Sequence, residues 1–149
     1  MLARITTPAQ TPALALMGSR MEVLVTGSDT SGAWEAVRTT VGPDGRSPLH
    51  TMSTDKVFVV LSGRLTVVLG DTAHEVGAGD VVTVPSGTPH RYLGGAGAPA
   101  QLLVLTTGDG HVGFLAGMAD LTAGGPPEPA ALAAHTAAHV VRVLAPASA

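Results

Sequence analysis

Few side chains in this sequence can do chemistry. It has six histidines, one lysine and no cysteine, which excludes thiolate chemistry and a disulfide framework. His50 stands two residues before Met52 in LHTM, and on a strand those two share a face. Lys56 opens the β-rich run KVFVVL and is a single lysine among seven arginines. His90 follows the turn PSGTP and stands two residues before Tyr92. Imidazoles exchange protons near neutral pH. A buried ammonium polarises a carbonyl or holds an enolate, and burial moves its pKa toward the range of a general acid or base. A neutral lysine can also form a Schiff base. The thioether of Met52 is a soft ligand suited to Cu(I), and a protonated lysine is no ligand at all.

The elements that must position these residues are short strands. Met21–Thr26 and Ala33–Val41 read as the first two strands. Leu49–Met52 and Lys56–Leu61 follow, separated by the polar turn Ser53-Thr54-Asp55. Arg64–Leu69 is expected to pair back on the preceding strand across Ser62-Gly63 as a hairpin. Ala73–Val76, Val81–Val84, Arg91–Leu93 and Gln101–Thr106 complete an evenly spaced all-β series, which favours a closed or sandwich-like architecture. After Thr107 the texture changes. Gly113–Leu121 and the Ala-rich Pro129–Val141 read as helices, the second with Glu128 and Pro129 suited to its start. This gives an N-terminal arm over 1–20, a barrel over 21–107 and a C-terminal helical extension over 108–149 packed on the barrel. The arm, rich in Thr, Pro and Ala, reads as either disordered or laid across a neighbouring subunit.

Composition narrows the function classes. A length of 149 residues fits one domain with its own core. Charged residues make up 13% and apolar ones 45%, unlike a disordered chain. Nineteen glycines and eleven prolines supply the turns of a chain of short strands. A net charge of −3 leaves no basic footprint for nucleic acid. No apolar run is long enough to span a membrane, and prolines break the N-terminal stretch as a signal peptide. The expectation is a cytoplasmic protein.

The stretches HTMSTDKVFVVLSG from His50 and GDVVTVPSGTPH to His90 resemble the two motifs of the cupin superfamily. The first motif is spaced as histidine, histidine, glutamate and glycine, and here those places hold His50, Met52, Lys56 and Gly63. The second is matched by Gly79, Pro85, Gly87 and His90. The glycine usual before the first histidine is replaced by Asp44, with Gly45 beside it. The resemblance runs over roughly residues 33–145, and the tail is similar to that of small cupins of the quercetin-dioxygenase-like type. It implies a cupin-type β-barrel (double-stranded β-helix, or jelly roll) with a short helical extension, and a homodimer. It also implies that His50, Met52, Lys56 and His90 face one pocket, where intact relatives hold a metal with three histidines and a glutamate. Tyr92 would share the face of His90, and Phe58 and Val60 would line the apolar wall.

Two of those four ligands are missing, and one is replaced by a cation. At about 4 Å and an effective dielectric of about 20, a unit-charge pair is worth roughly 4 kcal/mol, so a divalent ion meets roughly 8 of repulsion. Structural zinc binds with about 10–16 kcal/mol. No cofactor is therefore expected, or at most a weakly held divalent metal on His50 and His90. The leading reading is a metal-independent isomerase, cyclase or lyase acting on an oxygenated small molecule, in a setting such as bacterial secondary metabolism. Its polar centre is Lys56, His50 and His90, with Met52, Phe58, Val60 and Tyr92 around the substrate. Two alternatives stay open: a metal-dependent dioxygenase-like enzyme using His50 and His90, and a non-catalytic ligand-binding barrel. Against any site role, Lys56 could pair with Asp55 or Glu35 at the rim, as exposed lysines do. His74, His135 and His139 read as surface or packing residues, and His111, in a Gly-rich loop, is uninformative.

Overall fold

Strands alternate buried and open side chains with period two, and that alternation carries the site residues inward. The structure, a computed structural model, describes residues 3–139 and 141–145. Residues 1–2 of the arm, and 140 and 146–149 of the extension, lie outside the described residues. One sheet holds β1 (Ala13–Leu16), β2 (Ser19–Val25), β3 (Trp34–Val41), β10 (Ala100–Thr107), β5 (Lys56–Ser62) and β8 (Val81–Val84), in that spatial order. The other holds β11 (Val141–Ala145), β4 (Leu49–Met52), β9 (His90–Gly94), β6 (Arg64–Leu69) and β7 (Thr72–Gly77). All pairings are antiparallel. Helices α1 (His111–Thr122) and α2 (Pro129–Ala138) follow the last strand of the first sheet.

Two apolar clusters fill the space between the sheets. One contains Phe58, Val60, Leu65, Val67, Tyr92 and Leu102. The other joins Leu16, Met21, Val37, Met52 and Val141 to Phe114, Leu115 and Met118 of α1. The helix thus packs over one end of the barrel. Its first turn is held by a side chain from β3: Val112 donates its N–H to Glu35 Oε1 at 2.9 Å, and Gly27 donates to Oε2 at 2.9 Å. α2 leans on α1 through His135, which stacks on Phe114 at 5.4 Å between centroids, with His139 beside it. These two histidines are packing residues.

Three expectations need correction. The segment 1–20 is not an arm throughout: Ala13–Leu16 pairs with β2 in the same chain, and Leu16 is buried. The extension 108–149 is not helical to its end: Val141–Ala145 is a strand that adds to β4. Finally, β5 and β6 do not form a hairpin. β5 lies between β10 and β8, while β6 lies between β7 and β9 in the other sheet. Gly63 carries the chain across that corner with φ of 75°, and a Cβ there would come within 2.7 Å of the Ala100 Cα.

The Gly63 corner gives a controlled test. Gly63→Ala should destabilise by roughly 2–4 kcal/mol through positive φ plus backbone overlap. Gly70→Ala, at φ of 63° with nothing within 4 Å, should cost only about 1 kcal/mol. Denaturant unfolding of the pair measures the difference, and equal losses would refute the close approach.

Candidate active site

β4, β5 and β9 each bring polar groups to the junction of the two apolar clusters. On β5, Lys56, Phe58 and Val60 point inward. On β4, His50 and Met52 do, and on β9, His90 and Tyr92. His50 and His90 are direct cross-strand partners, and their rings lie 4.2 Å apart between centroids. Each ring is oriented by its own strand entry. His50 Nδ1 lies 2.7 Å from the Pro48 carbonyl and His90 Nδ1 lies 2.8 Å from that of Thr88. A carbonyl only accepts, so Nδ1 carries the proton in both rings and each Nε2 keeps its lone pair. Lys56 Nζ donates to that lone pair of His90 at 3.0 Å.

Lys56 is 5% exposed, which removes the rim reading. It pairs with neither proposed partner among the described residues: Glu35 accepts the two backbone N–H groups above, and Asp55 accepts from the Ser86 N–H at 2.8 Å. Burial without a counter-ion disfavours the charged amine and lowers its pKa from 10.5 to about 7. His90 is lowered to about 4, by burial first and then by the Lys56 charge. His50 is lowered to about 2, by burial first and then by the charges of Lys56 and His90. Near neutral pH both imidazoles are uncharged, and Lys56 is the group poised between its two states.

A cavity opens beside these residues. His50, Lys56, Phe58 and Tyr92 line it, with Leu115 and Met118 of α1 opposite. Tyr92 meets Phe58 edge-on at 6.4 Å, and burial raises its phenol pKa. His90 stands behind Lys56, 2% exposed, rather than on the cavity wall. Two expected wall residues are displaced. Met52 packs into the α1-side cluster against Val141. Val60 lies one inward position further along β5 than Phe58, in the barrel core. Alternation fixes the face a side chain takes but not its depth.

Residues 37–106 match the Cupin domain family. Over that stretch the chain is similar to a cupin domain. Solved cupin structures share its fold. The polyketide cyclase RemF from Streptomyces resistomycificus is 25% identical with a TM-score of 0.62, over 72% of this chain and 80% of that one. The cupin-2 domain protein Rru_A2000 from Rhodospirillum rubrum is 22% identical with a TM-score of 0.60, over 72% and 75%. A sugar phosphate isomerase from Silicibacter pomeroyi is 24% identical with a TM-score of 0.52, over 60% of each chain. No curated protein sequence matches the chain significantly. No described helix is long and apolar enough to cross a membrane.

The metal that cupins with an intact site bind does not fit these residues. The ammonium of Lys56 takes the His90 lone pair that would ligate it. Met52 is packed away from the cavity, and among the described residues no three His, Cys, Asp or Glu side chains gather as ligands. Two residues that sequence reasoning passed over do belong here. His111, the first residue of α1, is 7% exposed and lines the cavity. Glu35 holds that helix in place. The fall of GDGH into a helix start was the available signal for His111, but its burial depends on how α1 docks.

The pKa directions set the pH response of the fold. For His50 and His90 the folded pKa lies below the unfolded value of about 6.5, so the unfolded chain binds protons that the folded chain refuses. Stability therefore falls as pH drops through that window, and His90 alone accounts for roughly 2 kcal/mol of loss between about pH 7 and 5. His90→Gln should flatten that slope. For Lys56 the same sign applies between about pH 7 and 10.5, so stability rises with pH there. Lys56→Met should be more stable than the parent by roughly 2–5 kcal/mol at neutral pH and lack this alkaline rise. Denaturation at a series of pH values measures both, and a variant less stable than the parent would contradict the lysine's burial.

Proposed function

We propose that this cupin is a small-molecule enzyme that moves protons on an oxygenated, apolar substrate without a metal, as an isomerase, cyclase or lyase. The observation that carries the reading is Lys56, buried in the cavity with a pKa near 7 and hydrogen-bonded to His90 Nε2. In its neutral form the amine accepts a proton from the carbon next to a substrate carbonyl. The ammonium so formed faces the resulting enolate as a counter-charge, and the burial of Lys56 strengthens that pairing. The proton then returns to a different carbon, to a leaving oxygen, or to the alkoxide formed when the enolate attacks a second carbonyl. These three fates are isomerisation, elimination and cyclisation.

His90 directs the amine by accepting one of its N–H groups. His50 offers its Nε2 lone pair to a substrate hydroxyl. Phe58 and Tyr92 supply an apolar surface for the carbon skeleton. The similarity to a polyketide cyclase and to a sugar phosphate isomerase supports chemistry of this class. The fold by itself hosts many activities.

Deuterium exchange at the carbon next to the carbonyl of cyclohexanone, followed by NMR, tests the step without knowledge of the natural substrate. The protein should accelerate exchange, with a rate that rises with pH through about 7 as Lys56 loses its proton. Lys56→Met should lower the rate by roughly a hundredfold or more, and prior chelation should leave it unchanged. Full exchange activity in Lys56→Met, or activity lost to chelation and restored by a divalent metal, would overturn the reading.

A further inference from the structure

The cavity holds cationic groups and no acid. Lys56 and Arg46 both line it, and no Asp or Glu does. The buried Glu35 accepts backbone N–H groups on both oxygens, at the start of α1 and at Gly27. Arg46 has no acidic partner among the described residues. This is an unusual balance for a chain whose net charge is −3.

His111 adds a second, independent observation. Its ring is buried on the cavity wall, and its Nδ1 has no hydrogen-bond partner among the described residues. Buried polar atoms are nearly always paired, so an orphan on a cavity wall marks a place where a ligand atom belongs. Lys56 and His50 line the same cavity. His111 therefore faces the same space as Lys56, but from the helix side rather than from the strands.

We propose that His111 is a substrate-binding residue and that the cavity takes an apolar-bodied anion, a carboxylate or an acidic enol, which pairs with Arg46 while His111 bonds a second ligand oxygen and Lys56 is left free as the base. This names the substrate class for the reading above and rests on it for the reaction. Binding can be measured without turnover, so the two can fail separately. The anion would supply the counter-charge that the fold itself withholds, and the walls of Phe58, Phe114 and Leu115 would cover its apolar part.

Calorimetric titration with salicylate and with its neutral counterpart salicylamide tests the proposal on the full chain at neutral pH. Salicylate should bind at least roughly tenfold more tightly than salicylamide, since a hydrogen bond to a charged group is worth about that much. His111→Phe should weaken salicylate by roughly tenfold, and His111→Gln, which keeps an N–H, should recover most of the loss. Arg46→Met should narrow the preference for the anion. Equal binding of the two compounds, no binding of salicylate to the parent protein at millimolar concentration, or unchanged affinity in a folded His111→Phe would each overturn it. Should His111→Phe fail to fold, the salicylate to salicylamide ratio in the parent and in Arg46→Met still decides.

Discussion

One hydrogen bond constrains the whole site: Lys56 Nζ to His90 Nε2 at 3.0 Å, inside a barrel. It works only because the His90 proton is fixed on Nδ1 by the Thr88 carbonyl, which leaves Nε2 as an acceptor. The same contact uses the lone pair through which a cupin histidine would hold a metal. The strands bring three of the four motif positions together, His50, Lys56 and His90, and the chemistry delivered is an amine with two neutral imidazoles. Backbone geometry and site chemistry are separable here, and only the second has changed.

An amine buried without a counter-ion works against folding, and the rest of the barrel must offset it. Leu102, fully buried on β10, packs in the cluster that lies along β5 beyond the lysine. On the other side, α1 covers the barrel end with Phe114, Leu115 and Met118, and Glu35 fixes where that helix begins. Burial among these groups lowers the lysine pKa. The cost in stability and the reactivity have one physical origin, the desolvation of the amine.

Much of the fold was legible because alternation and turn residues report it directly. The strands Leu49–Met52, Arg64–Leu69 and Val81–Val84 lie where the pattern places them. The Ser62-Gly63 connection was misread because a short Gly turn serves a hairpin and a sheet-to-sheet corner equally well. β1 was hidden by the prolines around it, and β11 by the Ala-rich run before it. In the site, the inward faces of His50, Lys56, His90 and Tyr92 followed from period two and the cupin motifs. The depths of Met52 and Val60 did not, because depth depends on how strands cross. His111 and Glu35 were invisible for a related reason: a helix start and a strand carboxylate meet only after both sheets and α1 have packed.

Lys56 is the single lysine in the chain, so isotope-labelled lysine would give one side-chain signal and its titration can be followed by NMR without assignment. A midpoint near 7, shifted when His90 is replaced, is the result this account predicts. A midpoint near the ordinary value of about 10.4, with the signal of a mobile solvent-exposed side chain, would contradict it.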